Sequence, residues 1–127
     1  MKPACRMRRS LAGLLILCAS TTVWADEVSH WQSDFGRVTL QVARNGSVTG
    51  HYPQYRGTLS GFLVNDEYYD MHWVQPTSDV RCRRAMNGSH YWGQVRWTIL
   101  SGNRLSGVWS YCEQDLGSGG RWNATLE

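Results

Sequence analysis

The chain has 127 residues, 42% of them hydrophobic and 18% charged, with thirteen Lys and Arg against ten Asp and Glu and a formal net charge of +3. Four of the basic residues, Lys2, Arg6, Arg8 and Arg9, fall within the first 25 positions, which hold no acidic residue; the other 102 residues carry nine basic against ten acidic groups, a net of −1. The basic balance belongs to the N-terminal segment, so the electrostatic case for a nucleic-acid partner is lost, and the remainder is the length of one domain with a moderate core.

Residues 1–25 read as a signal peptide. The basic start is followed by an apolar run from Leu11 to Ala19 that is too short to span a bilayer, which argues against an uncleaved anchor. Val23-Trp24-Ala25 supplies small residues where a signal peptidase reads, and cleavage is expected after Ala25. Arg8-Arg9-Ser10-Leu11 loosely matches a twin-arginine signal, but ordinary secretion fits better. Leu17 ahead of Cys18 does not suit a lipoprotein. The expected product is a single domain over residues 26–127, periplasmic or secreted, and not an integral membrane protein.

From there the chain alternates apolar and polar residues with period two. Val38, Leu40 and Val42 form the first such set, then Val48, Gly50 and Tyr52, then Leu59, Gly61 and Leu63. Tyr69, Met71 and Trp73 follow, then Val95, Trp97 and Ile99, then Leu105, Gly107, Trp109 and Tyr111, and lastly Trp122, Ala124 and Leu126. Seven strands are predicted, with a candidate eighth near Trp31, and no stretch has a helical period. A short unit starts three of the strands: Gly46-Ser47-Val48-Thr49-Gly50, Gly57-Thr58-Leu59-Ser60-Gly61 and Asn103-Arg104-Leu105-Ser106-Gly107. Asn45-Gly46 suits a type I′ hairpin turn, Asn87-Gly88 and Gly102-Asn103 mark further turns, and Pro53 ends a strand because it cannot donate to the ladder. Two long loops remain, Pro76 to His90 and Cys112 to Gly120.

Cys82 and Cys112 are the only cysteines beyond the leader. In an oxidising compartment such a pair is expected to form a disulfide, joining the two long loops; they lack the spacing of a redox or metal motif. The glycines at positions 50, 61 and 107 fall on the apolar face, where glycine marks a bend or the close approach of a large neighbour, here the tryptophans. Seven or eight amphipathic strands bury one face and lose their edges by closing on themselves. The predicted fold is an all-β, antiparallel up-and-down meander closed into a seven- or eight-stranded barrel, with a β-sandwich as the alternative.

Gly46-Ser47-Val48-Thr49-Gly50-His51-Tyr52 resembles the second-strand signature of avidin and streptavidin-like barrels, as do Trp31 ahead of the first hairpin and Trp109 late on a strand. The resemblance implies an eight-stranded barrel with a cavity at one end, and transfers neither a ligand nor a ligand-binding residue. Trp31 to Gly36, reading Trp-x-Ser-Asp-Phe-Gly, also resembles the opening of small exported bacterial β-domains.

Several groups of side chains could carry chemistry. Tyr68, Asp70 and His72 share a strand face, and an aspartate can orient a histidine for acid–base work or metal binding; the competing reading is an outward polar face. Asp66, Glu67 and Asp70 lack the spacing of a calcium loop. No nucleophile elbow or phosphate loop is present. Asn45-Gly46-Ser47, Asn87-Gly88-Ser89 and Asn123-Ala124-Thr125 match the glycosylation sequon and read as turns and strand. Arg81, Arg83 and Arg84 flank Cys82 and could grip carboxylates or phosphates bidentately. Six tryptophans and six tyrosines lie beyond the leader. Trp73, Trp97, Trp109 and Trp122 fall inward as core or cavity wall, while Trp31, Tyr55, Tyr91 and Trp92 sit near strand ends, where they could line a cavity mouth.

These readings favour a non-catalytic binding module with its ligand at one barrel end, framed by the two long loops and contacted by Arg81, Arg83, Arg84, Tyr91 and Trp92. The partner would be a small ligand, a glycan or an envelope protein. The alternative is a protein-interaction module, such as a periplasmic enzyme inhibitor or immunity protein using the arginine loop. A hydrolase built on Asp70 and His72 is a third reading. No cofactor, metal or catalytic residue is expected.

Overall fold

The computed structural model describes residues 26–127, so the expected leader and its cleavage point lie outside the described residues. The period-two segments become strands β1 (Glu27–Ser33), β2 (Gly36–Val42), β3 (Ser47–Tyr52), β4 (Gly57–Val64), β5 (Tyr68–Gln75), β6 (Tyr91–Ser101), β7 (Arg104–Tyr111), β8 (Gly120–Arg121) and β9 (Ala124–Leu126), with one 3-10 turn at Pro53–Tyr55. Consecutive strands from β1 to β7 pair antiparallel as a meander. β7 then pairs with β8 and β9, and β9 pairs with β1, which closes an eight-stave barrel. The candidate strand near Trp31 is β1. Among the described residues no helix is long and apolar enough to cross a membrane.

The eighth stave is broken at Trp122-Asn123, and side chains replace the missing ladder bonds there. The Gly107 amide donates to Asn123 Oδ1 at 3.1 Å, and the Asn123 amide donates to Asp34 Oδ2 at 2.8 Å. The backbone adds Trp122 N to Gly107 O at 2.9 Å and Asp34 N to Asn123 O at 3.1 Å. A seam with satisfied backbone groups can close without a regular strand.

The inward side chains form one core, with Val38, Leu40, Val48, Met71, Val95 and Trp97 all fully buried. Large rings fit into this small barrel because glycines stand opposite them. Tyr52 faces Gly57, Trp73 faces Gly93 and Trp97 faces Gly107 in the ladder. In each pair a Cβ on the glycine would overlap the ring. At Gly50 and Gly61 the close neighbour is instead backbone, the carbonyl oxygens of Thr39 and Asp70, so those two glycines mark tight strand coiling, not tryptophan packing.

The hairpin turns differ from expectation in one place. Asn45 is not left-handed; Gly46 is, at φ +86°, and the Gly46 amide donates to Ala43 O at 2.9 Å. The connection is therefore a type I turn over Arg44-Asn45 followed by a glycine bulge, the usual three-residue hairpin. Type I′ geometry appears at Asn65-Asp66, both with positive φ and closed by Glu67 N to Val64 O at 2.9 Å, and again at Asn87-Gly88.

The disulfide joins Cys82 to Cys112 with a Cα separation of 5.5 Å. A closed loop of this length is worth roughly 3–4 kcal/mol of chain entropy. The bridge sits in a second small core with Val74, Trp92 and Met86. Val74 and Trp92 are ladder partners whose neighbours Trp73 and Gly93 point into the barrel, so this core lies on the outer wall. The loop from Pro76 to His90 folds back over that wall, held by Cys82 N to His90 O at 2.7 Å and Trp92 Nε1 to Arg84 O at 2.8 Å.

Candidate functional site

In an up-and-down barrel the strands alternate in direction, so the ends of β1, β3, β5 and β7 share one rim. Inward residues at those ends are aromatic: Tyr52 closes β3, Trp73 is near the end of β5, and Trp109 and Tyr111 are near the end of β7. Phe35 from the β1–β2 turn, Tyr55 from the 3-10 turn and Trp122 from the seam join them. Together with Gln75, Thr77, Ser78 and Asp79 they line a cavity of about 530 Å³, within the size range of small-ligand sites.

The rings are set edge to face. Phe35 stands perpendicular to Tyr55, Trp109 and Trp122, with centroids 5.9, 5.8 and 5.1 Å apart. Tyr52 meets Trp122 at 5.0 Å, and Trp122 meets the core ring of Trp97 at 4.9 Å. Such pairs each add about 0.5–1.5 kcal/mol beyond area burial. Hydrogen bonds fix the deep rings: Trp73 Nε1 donates to Ser110 O at 3.2 Å, and Trp122 Nε1 donates to Ser33 Oγ at 2.9 Å. The Tyr52 hydroxyl donates to Gln75 Oε1 at 2.8 Å, and Gln75 Nε2 donates to Thr77 O at 2.9 Å. Burial pushes the Tyr52 phenol far above its ordinary value, so it stays a neutral donor.

The outer part of the cavity is different. Among the described residues, nothing hydrogen-bonds the Trp109 indole N–H, the hydroxyls of Tyr55 and Tyr111, or the Asp79 carboxylate. A rigid apolar interior with unpaired polar groups at its mouth can hold a molecule by its faces and orient it by its edges.

The sequence-predicted residues fall elsewhere. Arg81, Arg83 and Arg84 are exposed on the outer-wall loop, where Arg84 pairs with Glu113 and lies 5.9 Å above the Trp92 ring. Trp92 is 2% exposed in the disulfide core, not at the cavity mouth. Tyr91 is half-buried and pairs with Gln75 at the rim without lining the cavity. Of the strand-end aromatics, Tyr55 lines the mouth and Trp31 is buried in the core. Trp73, Trp109 and Trp122 are cavity wall and Trp97 is core. Thr77, Ser78 and Asp79 belong to the loop expected to frame the site, while Phe35 and Gln75 are additions and Tyr52 and Tyr111, expected only as inward strand residues, line the cavity. The glycine-rich loop frames the site indirectly: the Gly119 amide donates to Trp109 O at 2.9 Å, and its Cα packs on the indole.

The face of Tyr68, Asp70 and His72 points outward. Asp70 pairs with Arg96 at 3.5 Å, and the Arg96 guanidinium lies 4.7 Å from the Tyr68 ring centre, so Asp70 serves an arginine and not His72. Among the described residues no three metal-ligating side chains come together.

Compared with protein-family models, curated proteins and solved structures, the chain matches none.

Proposed function

We propose that this protein is an exported binding module that takes a small ligand into the aromatic cavity at one end of its barrel. The observation that carries the reading is the ring of aromatic side chains around an open volume whose mouth holds unpaired polar groups. The disulfide suits an oxidising compartment outside the cytoplasm, in keeping with a periplasmic or secreted location and a cleaved leader. The resemblance to avidin-like barrels agrees with a ligand at a barrel end and assigns no ligand.

Native mass spectrometry of the protein purified from its host's envelope fraction tests this. A retained small-molecule mass that is lost in Tyr55→Ala and kept in Arg83→Glu supports the reading. A bare protein, or one that arrives bound to another chain through contacts broken by Arg83→Glu, overturns it. The second outcome would favour an interaction module, for which Arg81 and Arg83 are the relevant feature: both are exposed on a disulfide-pinned loop and have no ion-pair partner among the described residues.

A further inference from the structure

We propose that the ligand of the cavity is an organic cation carrying an alkylated ammonium group. This rests on the small-ligand reading and adds the ligand's charge and hydrogen-bonding character.

Three of the lining rings pack edge to face on one another. Trp73, Trp109 and Tyr111 are mutually near-perpendicular, at 75°, 74° and 79°, with centroids 6.0, 6.0 and 4.8 Å apart. Each ring has a negative face and a positive edge, so a cation resting on an open ring face of this lining is attracted. The charges at the rim act in the same sense. Asp79 is the one ionised side chain in the lining, and no arginine, lysine or histidine is there. Its carboxylate has no partner among the described residues. The neighbouring cations lie outside the lining: Arg84 is held by Glu113 over Trp92, and Arg56 lines an adjoining shallow groove that shares Gln75 with the cavity. Arg81 and Arg83 follow Asp79 into the exposed outer-wall loop. An anionic ligand would face a like charge, with no cation among the lining side chains to receive it.

The hydrogen-bond inventory narrows the class. The oxygens along the deep wall already accept from the protein: Gln75 Oε1 from Tyr52, Thr77 O from Gln75, Ser110 O from Trp73 and Ser33 Oγ from Trp122. The deep wall therefore offers few acceptors. A primary ammonium would lose its hydration there without replacement, whereas an alkylated ammonium has few or no N–H groups to satisfy and presents methyl surface to the rings.

The test is calorimetry, with tryptophan fluorescence as a second readout, on the disulfide-bonded protein titrated with choline, with its neutral isostere 3,3-dimethylbutan-1-ol, and with glucose. Choline is expected to bind about ten-fold tighter than the isostere. Asp79→Asn, at an exposed and unpaired position, should remove most of that preference by weakening choline far more than the isostere, with the thermal midpoint checking that the fold is intact. Equal or tighter binding of the isostere, or binding of glucose alone, overturns the cation assignment and leaves the cavity reading standing. Failure of choline together with a bare native mass spectrum overturns both.

Discussion

The indole of Trp97 lies across Gly107, its ladder partner on β7, and donates through Nε1 to the Trp122 carbonyl oxygen at 2.7 Å, the same oxygen that a Cβ on Gly107 would strike. One missing side chain therefore makes room both for a buried ring and for the hydrogen bond that ties β6 to the seam. Gly107→Ala is expected to destabilise the protein by about 1–3 kcal/mol through overpacking. Urea denaturation measures it, and an unchanged midpoint would mean that the Trp122 backbone and the Trp97 ring both give way without cost.

Trp92 and the cavity aromatics should separate cleanly by phenotype. Trp92→Ala empties the disulfide core and removes the donor to Arg84 O, a loss of about 3–5 kcal/mol for a buried tryptophan, with ligand affinity unchanged in the fraction that remains folded. Tyr55→Ala, at a position 43% exposed, should do the reverse: ligand affinity falls sharply while stability drops by only about 1 kcal/mol, the loss of its edge-to-face contact with Phe35. Paired melts and titrations decide it, and a joint loss in Trp92→Ala would mean that the outer core shapes the cavity.

Alkaline pH should loosen the barrel. Burial raises the Tyr52 phenol above its ordinary 10.0, and burial followed by the Glu27 and Asp66 carboxylates raises Tyr69. The unfolded chain releases these protons near pH 10 while the folded chain keeps them. The folded state then binds more protons, and stability present below pH 10 is lost as pH rises beyond it. Tyr52→Phe should cost about 1 kcal/mol at neutral pH, because Gln75 Oε1 loses its donor, and should flatten the decline above pH 10. Urea midpoints at pH 8 and pH 11 test both effects; an equally steep decline in the variant would place the sensitivity elsewhere.

Removing the bridge should act on stability and site together. The loop that the disulfide pins begins with Thr77, Ser78 and Asp79, which line the cavity. Cys82→Ser with Cys112→Ser is expected to lower stability by roughly 3 kcal/mol and to weaken ligand binding. Hydrogen exchange would show faster opening at residues 76–90, and unchanged exchange there would mean that the Trp92 core holds the loop unaided.

Most of the architecture was legible from alternation. Val38 with Leu40, Val95 with Trp97, and Leu105 with Gly107 each mark an inward face, and so many one-sided strands favour a barrel over the β-sandwich, which the β1–β9 pairing decides. The turn at Asn45 was misjudged because an Asn-Gly pair satisfies two geometries, and strand register, not local preference, put the left-handed residue at Gly46 alone. The site was half legible. Trp73, Trp109 and Trp122 were on the correct face by parity. Tyr52, Gln75 and Tyr111 could have been found by adding strand direction, since each is the last residue of β3, β5 or β7. By that same parity Trp92, next to inward Gly93, points outward into the disulfide core and away from the mouth it was expected to line. The Pro76–His90 loop was expected at the barrel end, but its path carries no periodic signal, so neither its fold over the outer wall nor Asp79 as the residue it sends to the mouth could be read.

Trp122 occupies an unusual place. Its indole reaches Ser33 from 89 residues away in sequence and fastens the stave that closes the ring, while the same indole is cavity wall. Whatever rests against it rests on the clasp of the barrel. Loading the cavity would tighten the clasp, and filled molecules would be the slowest to come apart, so that survival during heating or proteolysis could report occupancy before the ligand is identified.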